Sequence, residues 1–198
     1  MNKLVTFLLL VIILLVGGVS YLAGKNQLVK LPKVSTTQES SPSPLASPTP
    51  TASKTVKGGG ILSFPKYQMT VPSGWQDTRE SQGEDNEKII LTKGSYQISI
   101  TQGGFGGAVC LFPGDPDIDG PSARYDSYKE ITTNSGDLFR RSWTGNELTS
   151  QGFAICHKTQ YGWGAPTLYG HIAFITPAAK TRAMIDEMDS ILSSLKKI

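Results

Sequence analysis

In Ser95-Tyr96-Gln97-Ile98-Ser99-Ile100-Thr101 every second residue is large and apolar. Successive side chains of a strand point to opposite faces. Tyr96, Ile98 and Ile100 therefore share a covered face, and Gln97, Ser99 and Thr101 share a wet one, as in an antiparallel sheet with one side in water. Residues 67–71 repeat the pattern on a smaller scale. Residues 88–93, 108–112, 138–143, 153–158 and 168–175 read as further strands. Lys93-Gly94 and Asn134-Ser135-Gly136-Asp137 are turn sequences between them. Residues 125–131 fit a short helix or a strand equally well.

The period changes near the end of the chain. Met184, Ile185, Met188, Ile191, Leu192 and Leu195 recur at helical spacing. Thr176 is a natural cap for a helix starting at Pro177, and Lys196 and Lys197 suit its carboxyl end. Strands followed by one terminal helix predict an α+β fold, a mainly antiparallel sheet covered by a C-terminal amphipathic helix.

The front of the chain is different in kind. Residues 4–23 carry no charge and include ten consecutive apolar residues from Phe7 to Val16. Twenty helical residues span about 30 Å, the thickness of a bilayer's hydrocarbon core. The length favours an uncleaved signal-anchor over a cleaved signal peptide, whose apolar region is shorter. A membrane contact through residues 4–23 follows. The lysine count alone favours a cytoplasmic domain, with Lys25, Lys30 and Lys33 beyond the span. The three-residue leading tail, the composition of the next segment and two lone cysteines point instead to export. The expected order is a cytoplasmic tail (1–3), a transmembrane signal-anchor (4–23), a disordered stalk (24–60) and an extracytoplasmic α+β domain (61–198). The stalk expectation rests on Pro42, Pro44, Pro48 and Pro50 among small polar residues, closed by Gly58-Gly59-Gly60.

The net charge of +3 is unevenly placed. Up to residue 60 the only acid is Glu39, against six lysines; from Ile61 onward 13 bases face 15 acids. A domain that binds nucleic acid would concentrate its bases on itself, so that class is excluded.

A strand leading into Val71-Pro72-Ser73-Gly74-Trp75, residues 89–93 pairing with 96–101, and a closing helix with Ile191-Leu192-Ser193-Ser194-Leu195 resemble PsbP-like domains. They also resemble anchored bacterial proteins with the same P-x-G-W opening. The resemblance covers most of residues 61–198 and implies an α/β/α sandwich. It carries no functional residue over to this chain.

Asp115-Pro116-Asp117-Ile118-Asp119-Gly120 matches the first half of a calcium loop. Counting Asp115 as position 1 puts the glycine at 6 and Asp126 at 12, where a bidentate glutamate normally sits. Asp115, Asp117, Asp119 and Asp126 are thus candidate calcium ligands; the alternative is an acidic surface loop with Asx turns. Cys110 and Cys156 either pair, as an exported domain allows, or stand as small buried hydrophobes. His157 and His171 form no recognised catalytic pattern, and the Gly103–Gly107 run lacks the lysine and helix of a phosphate loop. Residues 161–166 make an aromatic loop in which an exposed Trp163 would meet a ligand and a buried one would pack. These features together predict a membrane-tethered binding domain without catalysis, facing an unknown protein or cell-envelope partner. A weak calcium-dependent structural or adhesion module is the alternative.

Overall fold

The computed structural model describes residues 52–81 and 84–198. In chain order these form β1 (Ser53–Gly59), β2 (Lys66–Pro72), β3 (Gln76–Ser81), β4 (Glu87–Lys93), β5 (Tyr96–Gln102), β6 (Ala108–Leu111) and β7 (Ser122–Arg124). There follow β8 (Ser127–Thr132), β9 (Leu138–Trp143), β10 (Gly152–Thr159), β11 (Gly162–Ala165), β12 (His171–Ile175), α1 (Arg182–Ser193) and β13 (Lys196–Lys197). The alternating run at 95–101 is β5, paired with β4 across Lys93-Gly94 and with β12 on its other edge. Residues 125–131 resolve as strand β8.

Two sheets result. The larger has ten strands along the path β3-β4-β5-β12-β10-β11-β6-β7, with β9 on the far edge of β10 and β8 beyond it. Its pairings are antiparallel except β6 with β7. Ala154 pairs with both Ala173 and Ser142, and His157 with both Gly164 and Phe139. One edge of β10 therefore serves β12 along its first half and β11 along its second. The smaller sheet is β1-β2-β13.

The main core lies between these parts. Val56, Tyr67, Met69 and Val71 come from the small sheet. Ile89, Leu91, Ile98, Ile100, Phe139, Ile155 and Phe174 come from the large one, and Ile185, Met188, Ile191 and Leu192 from α1. Thr181 caps the helix: its side chain accepts a hydrogen bond from the Met184 N–H.

These observations correct the expected fold class. The described chain is mostly β, not an α+β sheet covered by a terminal helix, and not an α/β/α sandwich of the PsbP-like kind. A 12-residue helix is about 18 Å long and about 10 Å across, the width of two strands spaced about 4.8 Å apart. It cannot cover ten strands. Much of the covering falls to the small sheet, whose first strand, Ser53–Gly59, had read as the end of the stalk. The helix also begins later than expected. Thr176 instead donates through its hydroxyl to the Ser150 carbonyl, and Lys196 and Lys197 leave the helix end to pair with β2.

The Gly58-Gly59-Gly60 run belongs to the fold. Gly59 has φ +83°, its N–H donates to Glu87 Oε2 at 2.5 Å, and a Cβ there would lie 2.6 Å from the Pro65 carbonyl oxygen. The tail, the membrane segment expected at 4–23 and the stalk up to residue 51 lie outside the described residues. Among the described residues no helix is long and apolar enough to cross a membrane, so the expected preceding helix is no part of the described fold.

One buried polar network ties α1 to the large sheet. Arg141 on β9 is fully buried and stacks on Phe153, 4.4 Å from the ring centre. Its Nε donates to Asp189 Oδ1 at 2.6 Å, and its Nη2 to Glu147 Oε1 at 2.7 Å. Arg182 pairs with the other Glu147 oxygen at 2.6 Å, and Lys129 with Asp189 at 2.9 Å. Burial alone would raise the Glu147 carboxyl, but hydrogen bonds from Arg182 and Arg141 outweigh it and hold the group below its ordinary range.

Candidate functional site

The large sheet has a second apolar face at one end. Along β9, Phe139 and Arg141 turn to the main core, so Leu138, Arg140 and Ser142 turn away from it. The register places Cys156 opposite Arg140 and Trp163 opposite Lys158. Cys110, Phe112, Cys156 and Trp163 form a small buried cluster there, joined by Tyr125, Leu138 and Ala165. A disulfide links Cys110 to Cys156, with their Cα atoms 6.3 Å apart, and ties β6 to β10. Among the described residues no cysteine is free, so a Cys–His nucleophile pair is unavailable.

Arg140 sits among three rings. Its guanidinium lies 3.7 Å from the Tyr128 ring centre, 4.0 Å from Trp163 and 4.6 Å from Phe112. Its Nε and Nη2 donate to Glu130 Oε1 at 3.1 and 2.9 Å. Stacking and a carboxylate fix the plane of this cation. Lys158 stands beside it, Nζ 5.3 Å from the Trp163 ring centre, with no acid paired to it among the described residues.

Two adjoining hollows open beside this cluster, of about 360 and 390 Å³. They share Val109, Ile118, Tyr161 and Trp163. The first is otherwise walled by small and apolar residues such as Ala108, Pro121 and Ala165; the second reaches Arg140 and Lys158. The result is one groove, mostly apolar at one end apart from Asp119, with two cations, Arg140 and Lys158, and one carboxylate, Asp115, at the other. Trp163 is its floor, only 9% exposed, so the packing outcome holds for that residue. Tyr161, 90% exposed at the β10–β11 turn, is its rim. The turn is fixed by the Tyr161 N–H donating to Thr159 Oγ1 at 3.1 Å. Within the 161–166 loop the sequence singles out Trp163 and gives Tyr161 no role of its own, although Thr159-Gln160-Tyr161-Gly162 has the form of a hairpin turn whose tip residue has nowhere to bury.

Three of the four aspartates expected to hold calcium are engaged elsewhere. Asp115 accepts from the Phe112 N–H at 2.7 Å, Asp117 pairs with Arg124, and Asp126 accepts from the Gly145 N–H at 2.9 Å. Asp119 is exposed on the groove wall. Arg124 also donates to the carbonyls of Phe112 and Asp115, so a cationic side chain already occupies the inside of this loop. The loop joins parallel strands β6 and β7, not two helices, and the described residues contain no group of three or more potential metal ligands. His171 packs edge-on against Phe105 at 5.3 Å, and His157 lies 6.4 Å from Phe139. Burial holds the His157 imidazole below its ordinary value, against the opposing pull of Asp137 and the Pro166 backbone. Neither histidine lines the groove. The glycine run at 103–107 connects β5 to β6.

No family model, no curated protein and no solved structure matches this chain.

Proposed function

We propose that residues 49–198 are an extracytoplasmic binding domain, held at a membrane through residues 4–23, whose groove takes a peptide segment of a partner protein. That segment carries an apolar side chain next to a carboxylate. The carrying observation is the convergence of three exposed large hydrophobics, Val109, Ile118 and Tyr161, on a groove whose other end presents Arg140 and Lys158. Single exposed hydrophobics are ordinary; several gathered at one concavity mark a contact site. The cations set the sign of the group at the far end: Arg140 keeps Nη1 clear of its bond to Glu130, Lys158 pairs with no acid among the described residues, and Asp115, the one carboxylate in that hollow, already accepts from the Phe112 N–H. The disulfide supports the extracytoplasmic part of this reading, because such bridges persist in oxidising compartments.

A dipeptide probe tests the groove chemistry. Residues 49–198 form one compact unit holding every described strand, the helix and both apolar clusters, so they are a fair sample for amide NMR. N-acetyl-Leu-Phe as the free acid is expected to shift the resonances of Val109, Ile118 and Gly162. Its C-terminal amide should bind at least about fivefold more weakly, the loss of one charge-assisted contact. Equal binding of acid and amide, or shifts confined to other parts of the domain, would overturn the assignment.

A further inference from the structure

The outer face of the small sheet is built of lysine and neutral polar residues. Buried Val56 on β1 and buried Tyr67, Met69 and Val71 on β2 fix which residues turn outward. Lys57, Lys66, Gln68 and Thr70 lie on the solvent side. The register sets Lys57 and Lys196 on either side of Gln68, in one row across three strands. Neighbouring strands are about 4.8 Å apart, so the two lysine stems stand about 10 Å from one another. No acidic residue occurs in β1, β2 or β13.

Elsewhere on the domain the bases are mostly neutralised. Among the described residues six basic side chains pair with no acid, and four of them are Lys57, Lys66, Lys196 and Lys197 on this one small sheet. The other two are Lys158 of the groove and Lys180, which donates to the Ser150 carbonyl. Lys57, Lys66 and Arg79 also line a basin of about 400 Å³ on this side of the molecule. Arg79 is anchored there by Glu87 at 3.2 Å and by the Lys57 carbonyl at 2.6 Å.

We infer that this face rests on an anionic lipid bilayer, with headgroup phosphates as the groups it meets. The sign of the face requires an anionic partner. The outward side chains of its strands are polar, and the one exposed apolar group beside the basin is Ile198, so the contact is chiefly electrostatic and parallel to a surface. The face also begins with β1, the first described element after residues 4–23 and the intervening stalk. A domain tethered by a linker of that length meets the bilayer at a high effective concentration, where a weak surface contact suffices. Each lysine near an anionic leaflet strengthens attachment about fivefold. The inference rests on the proposed membrane attachment only for its strength in cells. It is independent of the groove.

Co-sedimentation of residues 49–198 with vesicles provides the test, since that piece lacks residues 4–23. At about 50 mM salt the domain is expected to pellet with phosphatidylcholine vesicles containing phosphatidylglycerol, and to stay in solution with phosphatidylcholine alone. Binding should vanish at about 500 mM salt, where the Debye length falls to about 4 Å. The triple variant Lys57→Gln, Lys66→Gln, Lys196→Gln changes only exposed side chains and should unfold at the same temperature. It should bind roughly 100-fold more weakly, three factors of about five, whereas Lys158→Gln should bind normally. Absence of binding to the anionic vesicles, or undiminished binding by the triple variant, would overturn the inference. So would binding to inorganic polyphosphate without binding to vesicles, which would give the face to a soluble polyanion.

Discussion

Asp189→Ala is expected to destabilise the domain by about 3–5 kcal/mol, because it leaves the fully buried guanidinium of Arg141 short of a partner. The loss exceeds that of an ordinary ion pair for a specific reason. Arg141 cannot reach water, its Nη1 already lacks a hydrogen-bond partner, and the aromatic rings of Phe153 and Trp143 give it no acceptor oxygen. Glu147 remains on Nη2 but is shared with Arg182. The double variant Arg141→Met, Asp189→Leu should recover most of the loss, since it removes both charges and keeps the volume filled. Urea unfolding measures this as a lower midpoint at unchanged slope. A loss below about 1 kcal/mol for Asp189→Ala would mean that water or Glu147 satisfies Arg141 unaided.

Removal of the Cys110–Cys156 bridge is the second large effect. The two cysteines are 46 residues apart. In the chain-entropy model a loop of that size is worth about 4 kcal/mol, chiefly through the unfolded state. Domains of this size are stable by about 5–15 kcal/mol in total, so the double Cys→Ala variant should lose a large share of its stability. Its denaturant slope should rise, because the unlinked chain exposes more surface. The bridge also holds β6, one wall of the groove, against β10. The reduced protein should therefore lose binding of the dipeptide acid before it loses the main core. A change below about 1 kcal/mol would contradict this weighting of the bridge.

How much of this was legible in the sequence depended on the kind of signal. The period-two runs at 67–71 and 95–101 became strands because burial of one face dictates that pattern, and 88–93 did so as a short continuous apolar run, Ile89-Ile90-Leu91, buried on both faces. The α1 stripe was legible for the same reason, yet Asp189 falls at stripe spacing from Ile185 and passed unremarked. An acid on an apolar stripe is the visible trace of a buried partner, here Arg141. The helix start was misplaced because Thr176-Pro177 and Thr181 both carry cap chemistry, and only tertiary contacts choose between them. Strand β1 was missed because Ser53-Lys54-Thr55-Val56-Lys57 has a single apolar residue. It pairs at an edge of the small sheet and buries little, so composition made it look like stalk. That omission hid the small sheet and, with it, the correct fold class. The aspartates at 115, 117, 119 and 126 show how far spacing alone carries. Their spacing suits a cation, but spacing cannot reveal that Arg124, the Phe112 N–H and the Gly145 N–H claim three of them. The groove is assembled from residues 107 to 165 by register alone, and no local motif announces it.

The groove between β6, β11 and the 112–121 loop is the proposed meeting point of this domain and its partner. Site-specific photocrosslinking in intact cells tests it most directly, with a benzophenone amino acid at Tyr161 in the full-length chain. The expected result is a discrete higher-mass adduct that is absent when the same group stands at exposed Leu148 and is lost on adding Lys158→Glu. No adduct at Tyr161, or one equally strong at Leu148 and indifferent to Lys158, would contradict the account.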